Sequence, residues 1–125
     1  MKILIIDDDI GSTVTLKALL MSQDGFDIDI ANSGPDGLKM MRIKTYNLLI
    51  LDVMMPDFSG LDVCKEINQN ENLKKVPIIL ASALPIASKE LEDMLIEFRS
   101  LALIKGIIEK PFVMENLLAE IKKIY

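Results

Sequence analysis

Apolar positions recur along this chain in two alternating rhythms. Short apolar runs fall at residues 3–6, 26–31, 47–51, 77–81 and 103–108. Between them lie longer segments whose apolar residues stand three and four apart. The last is the clearest, with Met114, Leu117, Leu118 and Ile121 at i, i+3, i+4 and i+7, the stripe of one helix face. Leu91, Met94, Leu95, Phe98 and Ala102 repeat the pattern, and Leu61, Cys64 and Ile67 form a narrower stripe. Helices after Val14 and after Ser33 complete a βαβαβαβαβα order.

The runs differ in kind. ILII, NLLIL and PIILA are continuously apolar, as expected of parallel strands covered on both faces. FDIDIA alternates, with Asp27 and Asp29 on one side, and the fifth run is broken by Lys105 and Gly106. Those two read as edge strands, where charge is tolerated. Ser33 and Ser59 each precede an acid by three residues (Asp36, Asp62), which predicts N-caps with a reciprocal carboxylate. Pro35 suits a first helical turn, and Pro56 ends the third strand. The alternation predicts an α/β fold with right-handed crossovers: a doubly wound, five-stranded parallel sheet with helices on both faces.

At 125 residues and half hydrophobic, the chain suits one domain spanning 1–125 with a single substantial core. Its net charge of -5 argues against direct nucleic acid binding and favours basic partner surfaces or cations. The absence of histidine removes a Ser-His-Asp triad and a His base, and one cysteine, Cys64, removes an internal disulfide. Cys64 reads as core rather than nucleophile. No apolar stretch has the length of a membrane span and the start does not match a secretion signal, so a soluble, cytoplasmic protein is expected.

Charge enters where the apolar runs stop. Asp7, Asp8 and Asp9 follow the first run and Asp52 follows the third; Ser82 follows the fourth and Lys110 the fifth. In doubly wound sheets ligands bind beyond the carboxyl ends of the strands. Carboxylates crowded there need a counter-charge, and all-oxygen ligation is what Mg²⁺ prefers. An alternative for DDD alone is a solvated strand end or a helix cap. Acids, a hydroxyl and an ammonium at four strand ends make a site able to hold Mg²⁺ and a phosphoryl group.

These pieces together resemble the receiver domain of two-component response regulators, along essentially the whole chain. The matching residues are Asp7 and Asp8 after ILII, D-V-M-M-P-D-F-S-G from Asp52, Ser82-Ala83, and Lys110-Pro111-Phe112. The resemblance implies a flavodoxin-like (CheY-like) fold with strand order 2-1-3-4-5. It also implies that Asp52 is the phospho-acceptor, served by a sensor histidine kinase, a phosphotransfer protein or a small phosphodonor. Asp8, Asp52 and the backbone carbonyl of Met54 would ligate Mg²⁺, with Asp7 acting mainly through water. Lys110 would pair with a phosphoryl oxygen and Ser82 would donate a hydrogen bond to it. A downstream protein would be read through the fourth helix, fifth strand and fifth helix. Such a domain catalyses only its own phosphorylation and dephosphorylation.

Three departures from the family pattern bear on output. Ile107 stands where an aromatic switch residue is common. The interval from Ser82 to Lys110 is long by about a turn and a half of helix, which falls on the helix around residues 91–101. Met54 and Leu84, two residues after Asp52 and Ser82, are apolar and cannot orient water, so a slowly hydrolysing acyl phosphate is expected. Two other readings compete. One is a Mg²⁺-dependent phosphatase or phosphotransferase, disfavoured because no second acid lies two residues after Asp52 and no P-loop glycine pattern is present. The other is a receiver-like structural domain whose switch is unused. The chain ends soon after the fifth helix with no linker or DNA-binding pattern; a stand-alone regulator is the simple expectation, and a receiver excised from a longer protein would read the same.

Overall fold

The computed structural model describes residues 1–23 and 25–125. Its elements are β1 (Lys2–Ile6), α1 (Ile10–Met21), β2 (Asp27–Ala31), α2 (Gly34–Ile43), β3 (Leu48–Asp52), α3 (Gly60–Asn68), β4 (Ile78–Ser82), α4 (Lys89–Leu101), β5 (Ile104–Glu109) and α5 (Met114–Ile124). A short 3-10 turn at Leu73–Lys75 precedes β4. The strands form one parallel sheet in the order β2-β1-β3-β4-β5, so the two runs read as edge strands are the edges.

Strand alternation splits the core into two layers. Leu4, Ile6, Leu49, Leu51, Ile78 and Leu80 face α2, α3 and α4. Ile3, Ile5, Leu48, Ile50, Ile79 and Ala81 face α1 and α5. The three inner strands are buried from end to end apart from Lys2, which is why they carry unbroken apolar runs. Each fully buried Leu or Ile contributes on the order of 1.5–3 kcal/mol through area removed from water.

Helix starts follow local capping chemistry. The reciprocal capping box forms at Ser59 and Asp62, whereas at Ser33 only the hydroxyl arm is made, accepting from the Asp36 N–H at 3.2 Å. Helix α1 begins at Ile10, earlier than the expected start after Val14, because Asp9 caps it by accepting from the Ser12 N–H at 3.1 Å. Its outer face is apolar too, with Ile10, Val14 and Met21 exposed, and that blurs the stripe. Among the five helices, α4 is the longest at 13 residues, burying Leu91, Leu95 and Phe98.

Candidate functional site

Three strand ends converge on one crevice. Asp7 directly follows β1, Asp52 is the last residue of β3, and Lys110 directly follows β5. Alternation carries all three towards the α1/α5 face: Asp7 continues Ile3 and Ile5, Asp52 continues Leu48 and Ile50, and Lys110 continues Ile108. Asp7, Asp8 and Asp52 each offer a carboxylate oxygen, all within 4.8 Å of one another. Lys110 Nζ lies 2.5 Å from Asp7 Oδ2 and 3.4 Å from Asp52 Oδ1.

Asp7 and Asp52 are buried, whereas Asp8 is exposed at the mouth. Burial, and then the neighbouring Asp7 charge, push the Asp52 carboxyl up to about 7; Lys110 and the Met54 N–H pull the other way. Burial alone would lower Lys110, but its hydrogen bond to Asp7 and the charges of Asp52 and Asp7 outweigh that and raise it. Three carboxylates share one ammonium, so the crevice keeps an excess of negative charge. Hard oxygen donors in that arrangement fit a divalent cation that prefers oxygen, as Mg²⁺ does.

The scaffold fixes these groups. The Asn32 side chain donates to the Asp7 carbonyl oxygen at 2.9 Å and to Thr13 Oγ1 at 3.2 Å. The Asp9 N–H donates to Asp7 Oδ1 at 3.0 Å. Gly60 opens α3 directly beneath the end of β3, where an added Cβ would collide with the Asp52 carbonyl oxygen. Between them Asp57 takes a left-handed conformation (φ 67°), and the Phe58 N–H bonds back to the Pro56 carbonyl at 2.7 Å across this tight turn.

Ser82 is buried at the end of β4, but it continues the Ile78 and Leu80 side of its strand, towards α3 and α4. Its hydroxyl donates to the Leu84 carbonyl at 3.1 Å and accepts the Leu84 N–H at 2.9 Å. Ser82 therefore borders the crevice without bonding to Asp52. Ile107 packs against the α2/α3/α4 layer, and the Met54 side chain is exposed. Cys64 is fully buried, and burial pushes its thiol up to about 12, so it holds no thiolate at neutral pH.

Sequence reading missed three supporting residues. Asn32 and Thr13 carry no motif. Glu109, beside Lys110, accepts the Ile86 N–H at 2.8 Å and ties the end of β5 to the β4–α4 loop. Only the asymmetry of DDD offered a signal: Asp9 caps α1, while Asp7 and Asp8 serve the crevice.

Among the described residues, no helix is long and apolar enough to cross a membrane. Residues 3–122 match the response regulator receiver domain family. The chain is 36% identical over 124 residues to the transcriptional regulatory protein CpxR homolog of Haemophilus influenzae, covering 98% of this chain and 49% of that protein. It is 33% identical over 121 residues to response regulator ArlR of Staphylococcus saprophyticus, covering 97% and 50%. The chain thus spans about half the length of these curated relatives. A CheY-like receiver domain from Methylobacillus flagellatus has a TM-score of 0.81 at 26% identity, covering 100% of this chain and 98% of that one. The Vibrio cholerae chemotaxis protein CheY4 has a TM-score of 0.86 at 24% identity, covering 99% and 98%, a likeness of fold. By the family match over residues 3–122 and these relatives, the chain belongs to the response regulator receiver domain family, the regulatory domains of two-component systems.

Proposed function

We propose that residues 1–125 form one receiver domain that works in the cytoplasm as a phosphorylation-controlled binding module, with Asp52 as the acceptor. The observation that carries this reading is the meeting of Asp7, Asp8 and Asp52 oxygens within 4.8 Å, with Lys110 bridging two of them. Asp8, Asp52 and the Met54 backbone carbonyl would hold Mg²⁺, with Asp7 acting through water and through Lys110. Bound there, Mg²⁺ supplies positive charge that offsets the charge developing on a transferring phosphoryl group.

The chain's own groups account for the rest. An Asp52 carboxylate oxygen forms the new bond to phosphorus as the bond to the donor breaks, and the donor leaves with that electron pair. With acetyl phosphate the leaving group is acetate. Lys110 Nζ is already within reach of Asp52 and can follow a phosphoryl oxygen as a point charge. Ser82 would exchange its Leu84 carbonyl contact for a phosphoryl oxygen, drawing the start of the β4–α4 loop inward. That movement biases two conformations with different partner affinities. The donor would be a sensor histidine kinase, a phosphotransfer protein or a small phosphodonor. The downstream partner would be a protein read through α4, β5 and α5, not nucleic acid or membrane.

Intact-mass measurement after incubation with acetyl phosphate, with and without Mg²⁺, tests the reading on wild type and Asp52→Asn. One phosphoryl adduct that needs both Mg²⁺ and Asp52 is expected. An adduct that persists in Asp52→Asn would move the acceptor elsewhere. If no adduct forms and beryllofluoride also fails to bind, the switch reading falls.

A further inference from the structure

The turn that carries the leading acids is held by a side chain from a distant part of the sequence. Asp7 extends the β1–β2 ladder by one bond, its N–H donating to the Ala31 carbonyl at 3.1 Å. In a continuing parallel ladder the Asp7 carbonyl would next accept the N–H of residue 33. Ser33 instead turns away as the N-cap of α2. The Asn32 side-chain amide takes over that rung, donating to the Asp7 carbonyl oxygen at 2.9 Å.

The same NH₂ also donates to Thr13 Oγ1 at 3.2 Å. Thr13 is buried, and its own hydroxyl proton goes to the Ile10 carbonyl at 2.9 Å. Both neighbours of the Asn32 amide are therefore acceptors, which fixes the end that carries nitrogen. Its two protons are spent on one clamp, which ties together the turn after β2, the turn after β1 and the first turn of α1.

The clamp bears on Asp8 more than on its neighbours. The Asp7 carbonyl and the Asp8 N–H belong to one rigid peptide plane, so holding the carbonyl sets the direction in which Asp8 leaves the strand. Little else sets it. Lys110 pairs with Asp7 and Asp52 but not with Asp8. The Asp9 N–H is spent on Asp7 Oδ1. Asp8 is exposed, yet it keeps a carboxylate oxygen within 4.8 Å of those of Asp7 and Asp52.

We infer that Asn32 is a positioning residue for the cation site. Through the Asp7–Asp8 peptide it holds the Asp8 carboxylate towards Asp52, and Thr13 orients the Asn32 amide. The inference rests on the reading of the crevice as a Mg²⁺ site. Groups that orient a metal ligand typically change metal affinity by about tenfold or more when they are lost.

Mg²⁺ titrations of the 125-residue chain, followed by the amide signals of residues 7–9 and 52–54, test the inference beside urea unfolding in EDTA. Asn32→Ala is expected to raise the half-saturating Mg²⁺ concentration by about tenfold. Affinity is read on folded protein, so a loss of stability alone would not move it. Thr13→Val, similar in shape but without the hydroxyl, is expected to weaken Mg²⁺ by about threefold. Thr13→Ser keeps the hydroxyl and should match wild type. The inference is overturned if wild type responds saturably and Asn32→Ala binds Mg²⁺ equally well, whatever its stability. Thr13→Ser losing as much affinity as Thr13→Val would also overturn it, because bulk rather than the hydroxyl would then matter. If wild type itself shows no saturable response at these amides, the Mg²⁺ reading of the crevice falls, and this inference with it.

Discussion

Lys110 Nζ sits nearer to Asp7, at 2.5 Å, than to Asp52, at 3.4 Å. The lysine thus neutralises the buried acid beside the proposed acceptor and leaves the acceptor itself under-compensated. The arrangement suits a carboxylate that must gain a charged group and still be approached by a cation. Lys110→Ala is expected to destabilise the metal-free protein by about 1–3 kcal/mol, since it leaves buried carboxylates without their partner. The same change removes a competing positive charge, so Mg²⁺ binding should tighten while phosphoryl uptake slows. Urea unfolding and a Mg²⁺ titration check both halves. Unchanged Mg²⁺ affinity would mean that the lysine and the cation do not share the crevice.

The Asp52 shift has a definite sign. Its carboxyl is raised from an ordinary value of 3.8 to about 7, so the folded state holds a proton that the unfolded state has released across that interval. This contribution to stability is present in full below about 4 and is lost as the pH rises through about 7. Asp29 and Asp9 are lowered, chiefly by hydrogen bonds from Tyr46 and from Ser12, and so act only at the acid end, below about 4. In EDTA, the urea midpoint should therefore fall between pH 5 and pH 7.5 in wild type and stay flatter in Asp52→Asn. Mg²⁺ should stabilise wild type, and increasingly as Asp52 ionises, whereas Asp52→Asn should lose most of that dependence. An equal Mg²⁺ response in the variant would refute the proposed ligation.

Much of this was legible from strand arithmetic. The five runs, the edge strands and the residues at each strand end follow from periodicity and from where apolar runs stop. What periodicity could not show is which face each end residue takes. Asp7, Asp52 and Lys110 continue the α1/α5 side of their strands, while Ser82 continues the opposite side, and only the register reveals the split. The start of α1 was hidden because Ile10, Val14 and Met21 are apolar yet exposed. Asn32 and Thr13 act through long-range hydrogen bonds, which leave no local pattern.

The turn after β3 is strained at Asp57, whose φ of 67° is rare outside glycine. Asp57→Gly should stabilise the fold by about 0.5–1 kcal/mol, because glycine reaches this conformation without a steric penalty. Asp57→Val should destabilise by more than that, a β-branched residue being least tolerant there. Thermal unfolding of the three proteins checks the order. If the glycine variant proves less stable than wild type, strain at this residue is not significant.

A phosphoryl group on the proposed acceptor Asp52 would have the apolar Met54 and Leu84 at the two positions expected to govern its lifetime. The Met54 side chain is exposed at the crevice rim, and Leu84 is half-buried against the α2/α3/α4 layer. Neither can hydrogen-bond a water for attack on phosphorus. Met54→Asn supplies such a group and should shorten the half-life of the acyl phosphate several-fold, read by mass after removal of the donor. Rapid loss of the label in wild type, with no acceleration in Met54→Asn, would count against slow hydrolysis.

In the proposed switch, transmission would proceed without an aromatic at residue 107, which is Ile107. The hydrogen bond from the Ile86 N–H to Glu109 Oε1 offers a physical link, since it joins the end of β5 to the loop that begins at Ser82. Glu109 is one residue from Lys110, so a shift of the lysine towards a phosphoryl oxygen would pull on this bond. At the same moment Ser82 would release Leu84. Glu109→Ala removes the acceptor and should loosen the loop, speeding amide exchange at residues 84–88 in the unmodified protein. Phosphorylation should then change exchange there less than it does in wild type. Loop exchange that is identical in the two proteins, with and without beryllofluoride, would show that the Glu109 contact carries no signal. The half-buried packing of Ile107 against the α2/α3/α4 layer would then be the next link to test.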